Sequence, residues 1–221
     1  MSSRVVVAID GTSGSGKSST SRGVASRLGL RYLDTGAMFR AMTWWMLEHG
    51  IDVHDAEAVA AGSSEPLIES GTDPLAPTIH VDGIDVAGPI RSAEVTAAVS
   101  PVSTVPAVRQ RLLELQRALI GDGGIVVEGR DIGSIVWPQA EVKVYMSADV
   151  EARAARRIQE HEHLGDVNAA REGLLTRDRI DSGRAAAPLK QADGAVHLDT
   201  TDYTLDQVID IVTELVEEAG A

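Results

Sequence analysis

VVVAIDGTSGSGKSSTSRGVASRL, Val5 to Leu28, is the stretch on which the fold turns. Val5 to Ile9 is a short β-branched run, a glycine-rich turn ends it, and Lys17 to Leu28 carries a helical pattern. Within the turn, Gly11, Gly16, Lys17 and Ser18 satisfy G-x-x-x-x-G-K-[ST] completely. Glycines let the backbone curl so that successive N–H groups point inward at phosphate oxygens, and the start of the helix adds its positive dipole end. Gly11, Thr12, Ser13, Gly14, Ser15, Gly16, Lys17, Ser18 and Ser19 are therefore expected to cradle a nucleotide triphosphate. Lys17 would reach its β- and γ-phosphates and the Ser18 hydroxyl would ligate Mg²⁺. The bland alternative is a flexible glycine–serine turn that happens to precede a helix, but motif and strand–loop–helix context agree on the phosphate loop.

Outward from this stretch the pattern alternates. A second helix is expected over Ala37 to His49, with Met38, Phe39, Met42, Trp45 and Met46 at three- and four-residue spacings. Between about Gly62 and Ile90 proline and glycine cluster, and TIHVDGIDVAG reads as two short strands around an Asp82-Gly83 turn, a small β insertion. Helical patterning returns from Val105 to Ile120. A buried strand from Ile125, another at Val142 to Met146, a helical segment Val150 to Glu160, an arginine-rich polar stretch to Arg184, a strand at Ala195 to Leu198 and a helix from Leu205 to Glu218 complete the chain. Strands alternating with helices predict an α/β fold, a parallel sheet covered on both faces.

The 221 residues, 43% hydrophobic, suffice for one substantial core. No run of eighteen apolar residues and no secretory leader pattern is visible, so a cytoplasmic protein with no membrane partner is expected. The absence of cysteine excludes disulfides and thiolate metal sites. A formal charge of −13 argues against broad binding to nucleic acid or anionic lipid. Of seventeen arginines, however, seven fall between Arg153 and Arg184, which suits phosphate chemistry as well as a solvated helix face.

A phosphate loop leaves GTPase, motor and kinase open. The only asparagine, Asn168, is followed by Ala169, so a guanine-reading Asn-Lys-x-Asp is missing, and the partner surfaces of a motor are not visible. A small-molecule kinase remains, and it must hold an acceptor facing the γ-phosphate. LDTGAMFRA, Leu33 to Ala41, places Thr35 at the N-cap of a helix and Arg40 about one turn in, where a phosphate could be met. Phe39 could flank a base or belong to the core. GIVVEGRDIGSIV, Gly124 to Val136, sets Glu128, Arg130 and Asp131 at the end of a core strand, where open α/β sheets bind ligands. His161 to His163 lacks the H-E-x-x-H spacing of a zinc site and reads as a solvated loop.

These residues resemble the bacterial cytidylate kinases, through GTSGSGKSS, LDTGAMFR, the β insertion, SPVSTVPAVRQRLL, VEGRDIG and TRDRIDSGRAAAPL in the expected order. The resemblance covers nearly the whole chain. It implies phosphoryl transfer from ATP to CMP or dCMP with Mg²⁺, by a monomer of three parts. These are a core of residues 1–34, 92–150 and 185–221, a monophosphate-binding region 35–91, and a helical lid at about 151–184. It implies that Thr35, Phe39, Arg40, Ser100, Arg109, Arg130, Asp131, Arg177 and Asp181 hold the acceptor, and that Arg157 and Arg184 act from the lid on ATP and the transferring group. Lys17, Arg130, Arg177 and Arg184 would be the catalytic cations. Thr35 and Phe39 stand where a well-known family pattern has serine and tyrosine, so a ring hydroxyl is lost at Phe39.

Cytosine chemistry gives an independent check. A carboxylate accepts from N4 and an arginine donates to N3 or O2, so Asp131 with Arg109, assisted by Ser100, is complementary to cytosine and mismatched to uracil. A kinase for a non-nucleotide acceptor and a nucleotide sensor without turnover are the alternatives.

Overall fold

The computed structural model describes residues 4–160, 167–183 and 189–220. Five parallel strands form its central sheet: β1 (Val6–Gly11), β2 (Arg31–Asp34), β6 (Ile125–Gly129), β7 (Val142–Ser147) and β8 (Val196–Asp199), in the order β2-β6-β1-β7-β8. Strands buried on both faces need apolar residues throughout, and all six residues of β1 are buried. Side chains alternate across the sheet. Val6 and Ala8 join one core with Leu33, Ile125 and Val127, while Val7 and Ile9 join the other with Tyr32, Val126 and Val144.

Helices α1 (Lys17–Leu28) and α8 (Leu205–Glu218) cover the second face, with Gly23 so close to Ile209 that a Cβ there would meet its side chain at 2.2 Å. On the first face lie α2 (Thr35–Glu48), α4 (Ala93–Thr104) and α5 (Pro106–Ile120). α6 (Val150–Glu160) and α7 (Val167–Gly183) pack on each other above the carboxyl ends of the strands. Among the described residues no helix is long and apolar enough to cross a membrane.

The proline-rich segment is an antiparallel sheet of three strands rather than two, β3 (Ile68–Ser70), β4 (Ile79–Val81) and β5 (Ile84–Asp85), preceded by a short helix, α3 (Ala56–Gly62). Asp82 and Gly83 turn between β4 and β5 with φ of 52° and 78°, as a two-residue hairpin requires. The indole of Trp45 donates to Asp82 at 3.0 Å and its ring stacks on His49, so this buried tryptophan packs beneath the insertion.

Candidate active site

β1 delivers the phosphate loop at the carboxyl edge of the sheet. A Cβ on Gly11 would lie 1.9 Å from the Met146 carbonyl of β7, so only glycine lets the loop leave the strand there. Lys17 is buried and donates to the Thr12 carbonyl at 2.6 Å, which curls its ammonium over the loop. Burial, and Arg130 beside it, push that ammonium down. Two further groups brace the loop. Arg153 donates to the Ser13 carbonyl at 3.1 Å and pairs with Asp178, and Thr200 donates to the Ser15 carbonyl at 3.1 Å.

β6 brings the acidic part of the site beside it. The Ser18 hydroxyl donates to Glu128 at 3.0 Å, and the Tyr32 phenol donates to the other carboxylate oxygen. Burial and the neighbouring Asp34 push the Glu128 carboxyl up. These are hard oxygen donors at the end of the phosphate loop, a set that fits Mg²⁺. A Cβ at Gly129 would lie 2.7 Å from both Thr35 Oγ1 and Ile132 Cδ1. Gly129 therefore answers to close packing.

Beyond Gly129 the chain enters a π-helical turn, residues Ile132–Val136, fixed from below by Asp10, whose carboxylate accepts the N–H groups of Ile132 and Gly133, both at 2.8 Å. Burial raises that carboxyl to about 6. The turn aims Arg130 and Asp131 in different directions. Arg130 pairs with Asp181 of α7 at 2.7 Å and donates to the Gly11 carbonyl at 2.8 Å, so it stands between loop and α7. Asp131 pairs with Arg109 of α5. Arg109 also donates to the Ser103 carbonyl at 3.2 Å and lies over the Phe39 ring, 5.4 Å from its centroid. Phe39 lines the cleft while packing against the core.

Asp34, not Thr35, is the N-cap of α2: its carboxylate accepts the Ala37 N–H at 2.9 Å. Thr35 is the first helical residue, and its hydroxyl crosses to the Glu128 carbonyl at 2.7 Å. Arg40 donates to the Thr96 hydroxyl at 3.0 Å and the Ile90 carbonyl at 3.3 Å, and Arg177 donates to the Thr96 carbonyl at 2.7 Å. Burial, then like charges nearby, push Arg40 down to about 10 and Arg177 to about 9, and both stay charged at neutral pH.

One cleft of about 250 Å³ brings together Ser13, Gly14, Lys17, Ser18, Thr35, Phe39, Arg40, Ser100, Arg109, Arg130, Asp131, Arg157, Arg177 and Asp181. Ser15, Gly16 and Ser19 border a separate cavity of about 290 Å³ with Arg156, Thr200 and Tyr203. Gly11 and Thr12 form the base of the loop and line neither cavity. A third cavity, of about 680 Å³, shares Arg40, Arg91, Arg157 and Arg177 with the cleft. Arg184 and the His161 to His163 cluster lie outside the described residues. Asp10, Tyr32, Thr96 and Thr200 gave no signal in sequence, since each acts through a partner distant in the chain, whereas Arg153 belonged to the arginine-dense segment without a role of its own.

A parallel sheet with a phosphate loop after its first strand, opening into an arginine-lined cleft, defines a P-loop phosphotransferase. A crystal structure of an uncharacterized protein from Eubacterium ventriosum shares the fold, with a TM-score of 0.54 at 10% identity, over 98% of this chain and 99% of that one. The family model described as cytidylate kinase matches residues 7–218, and the chain belongs to that family. The cytidylate kinase of Streptomyces avermitilis is 59% identical over 98% of this chain and 94% of its own. That of Streptomyces coelicolor is 58% identical with the same coverage.

Proposed function

We propose that the protein transfers the γ-phosphoryl group of ATP to CMP or dCMP, giving CDP or dCDP and ADP by direct in-line displacement. The observation that carries this reading is the Asp131–Arg109 pair beside Ser100, in the same cleft as the phosphate loop. Donor and acceptor of this pair match cytosine N4 and N3 or O2. Opposite uracil, O4 would meet the carboxylate and N3–H a donor, at a cost of about 1–3 kcal/mol for each buried group left unpaired.

In this reading the phosphate loop holds the β- and γ-phosphates of ATP, and the donor base takes the cavity between Arg156 and Tyr203. Arg40, Arg130 and Arg177 meet the acceptor phosphate, Thr35 and Ser100 add hydroxyls, and Asp181 aims Arg130. An oxygen of the acceptor phosphate attacks the γ-phosphorus. That oxygen is already anionic, so no strong base is needed, and the protein contributes position and positive charge. Ser18 would hold Mg²⁺, with Glu128 behind it, and the metal supplies further charge neutralisation at the transferring group. Arg157 and Arg184 are assigned to that group, with α6 and α7 as the lid that excludes water and the region 35–91 as the acceptor-side part. The enzyme works as a cytoplasmic monomer, without nucleic acid.

A coupled ADP-release assay across CMP, dCMP, UMP, AMP and shikimate tests this. CMP and dCMP should exceed UMP at least about tenfold in kcat/KM, one unpaired buried group being enough. Comparable values for UMP and CMP, or turnover of shikimate alone, would overturn the reading.

A further inference from the structure

Two arginines assigned above to the acceptor phosphate come from different elements and end on one residue of a third. Nη1 of Arg40, on α2, donates to the hydroxyl of Thr96 at 3.0 Å and more weakly to the Ile90 carbonyl at 3.3 Å. Nη2 of Arg177, on α7, donates to the backbone carbonyl of the same Thr96 at 2.7 Å. Both guanidiniums line the substrate cleft and the larger cavity beside it, so they form the partition between the two. Arg40 also faces Asp34, Arg91, Arg130 and Arg157; Arg177 faces Arg40, Arg157, Arg130 and Asp181. The site is thus crowded with like charge, and two long side chains would spread apart unless something held them.

We infer that Thr96 is a positioning residue of the acceptor site, whose hydroxyl and carbonyl hold Arg40 and Arg177 together so that the incoming phosphate meets a formed pair. A threonine within a helix often turns its hydroxyl back to a carbonyl of the preceding turn. Here the oxygen accepts from an arginine across the cleft wall. Both acceptors on Thr96 are uncharged. A carboxylate in their place would cancel the charge that the phosphate needs, whereas a hydroxyl and a carbonyl orient the guanidiniums without neutralising them. Rotamer freedom is then surrendered before the acceptor arrives, which favours affinity for it. The inference rests on the assignment of Arg40 and Arg177 to the acceptor phosphate.

Thr96→Val removes the hydroxyl at nearly constant volume, and Thr96→Ser keeps it. Thr96→Val should raise KM for CMP about five- to twentyfold, the loss of one hydrogen bond to a charged group, with kcat and KM for ATP within about twofold. Thr96→Ser should stay within about twofold of the parent on the same basis. Calorimetric titration with CMP in the absence of ATP should show the same ratio. In an Arg40→Gln background, Thr96→Val should have no further effect, because it acts through Arg40. Unchanged CMP affinity in Thr96→Val, an equal loss in Thr96→Ser, or full additivity with Arg40→Gln would overturn the inference. If Thr96→Val does not fold, Thr96→Ala must give the same shift. Should Arg40→Gln and Arg177→Gln bind CMP as tightly as the parent, it is the acceptor assignment that fails.

Discussion

In the proposed reading, Asp131 is the residue on which substrate choice turns. It is buried, its partner Arg109 is held by the Ser103 carbonyl and the Phe39 ring, and its backbone carbonyl caps the π-helical turn by accepting the N–H groups of Ile135 and Val136 at 2.8 and 3.1 Å. Its carboxylate is thus fixed in place rather than free to adapt. Asp131→Ala leaves the phosphate loop untouched and removes the group proposed to distinguish N4–H₂ from O4. The CMP to UMP ratio of kcat/KM should collapse by about one to two orders of magnitude, the equivalent of one lost discriminating pair. KM for ATP should change little by comparison. A ratio that persists while both activities fall together would remove Asp131 from base reading. Arg184 poses the complementary case. Assigned to the transferring phosphoryl group, it should when replaced by Ala lower kcat by about a hundredfold or more, the size of a lost oxyanion donor, with little change in KM for ATP. A rise in that KM alone would assign it to ground-state binding instead.

The turn after β6 shows how an element is built around its neighbours. Gly129→Ala would force a methyl to within 2.7 Å of Thr35 Oγ1 and Ile132 Cδ1, displacing the hydroxyl that bonds Glu128, and should destabilise by about 1–3 kcal/mol in urea unfolding. Gly88→Ala, where no atom lies within 4 Å of an added Cβ, is the matched control and should be near neutral. The same turn rests on Asp10, whose carboxyl is raised from 3.8 to about 6 because burial outweighs the two N–H groups it accepts. A raised carboxyl binds its proton more tightly folded than unfolded, so its contribution is present below the unfolded value and is lost as pH rises toward 6. The stability of the parent relative to Asp10→Asn should therefore improve on going from pH 7 to pH 4, by on the order of 2 kcal/mol. A pH-independent difference would show that Asp10 ionises as freely folded as unfolded. Local pattern made β1, its loop, α1, α5 and α8 readable, because each carries its own period and turn residues. The helix α4 was not, since SAEVTAAVSPVST mixes β-branched residues, serines and Pro101 with no clean apolar period. Asp34 and Thr35 are both good N-caps by type, and what decides between them is the Glu128 carbonyl, 93 positions away, which claims the Thr35 hydroxyl. Asp131 and Arg109 were readable through the family resemblance, with cytosine chemistry as a check, whereas the braces Asp10 and Thr200 depend on a strand order, β2-β6-β1-β7-β8, that no local pattern encodes, and Thr96 on the packing of α4 against α2 and α7.

A chain of net charge −13 concentrates positive charge in one place. Lys17, Arg40, Arg91, Arg109, Arg130, Arg157 and Arg177 line the cleft against Asp34, Glu128, Asp131 and Asp181, seven basic groups to four acidic. Burial first, and then repulsion among these cations, pushes Arg177 down to about 9 and Arg40 to about 10. Each lowered value means that the charged form is less favourable folded than unfolded, so the cleft opposes folding as it stands. A multivalent oxyanion binds the folded state alone and relieves that repulsion, and linkage converts binding into stability. Sulfate at about ten times its dissociation constant should add about 1.4 kcal/mol, or roughly 3–5 °C in Tm for a chain of this size. Sodium chloride at matched ionic strength supplies the screening control. Sulfate also stabilises proteins by exclusion from their surface, which needs no site. Arg40→Gln separates the two: exclusion is indifferent to one side chain, so the variant should keep a small general increment and lose most of the sulfate-specific rise. Equal increments in parent and variant would mean that the arginine cleft is not a preformed anion site and that its charge is organised only when both nucleotides are bound.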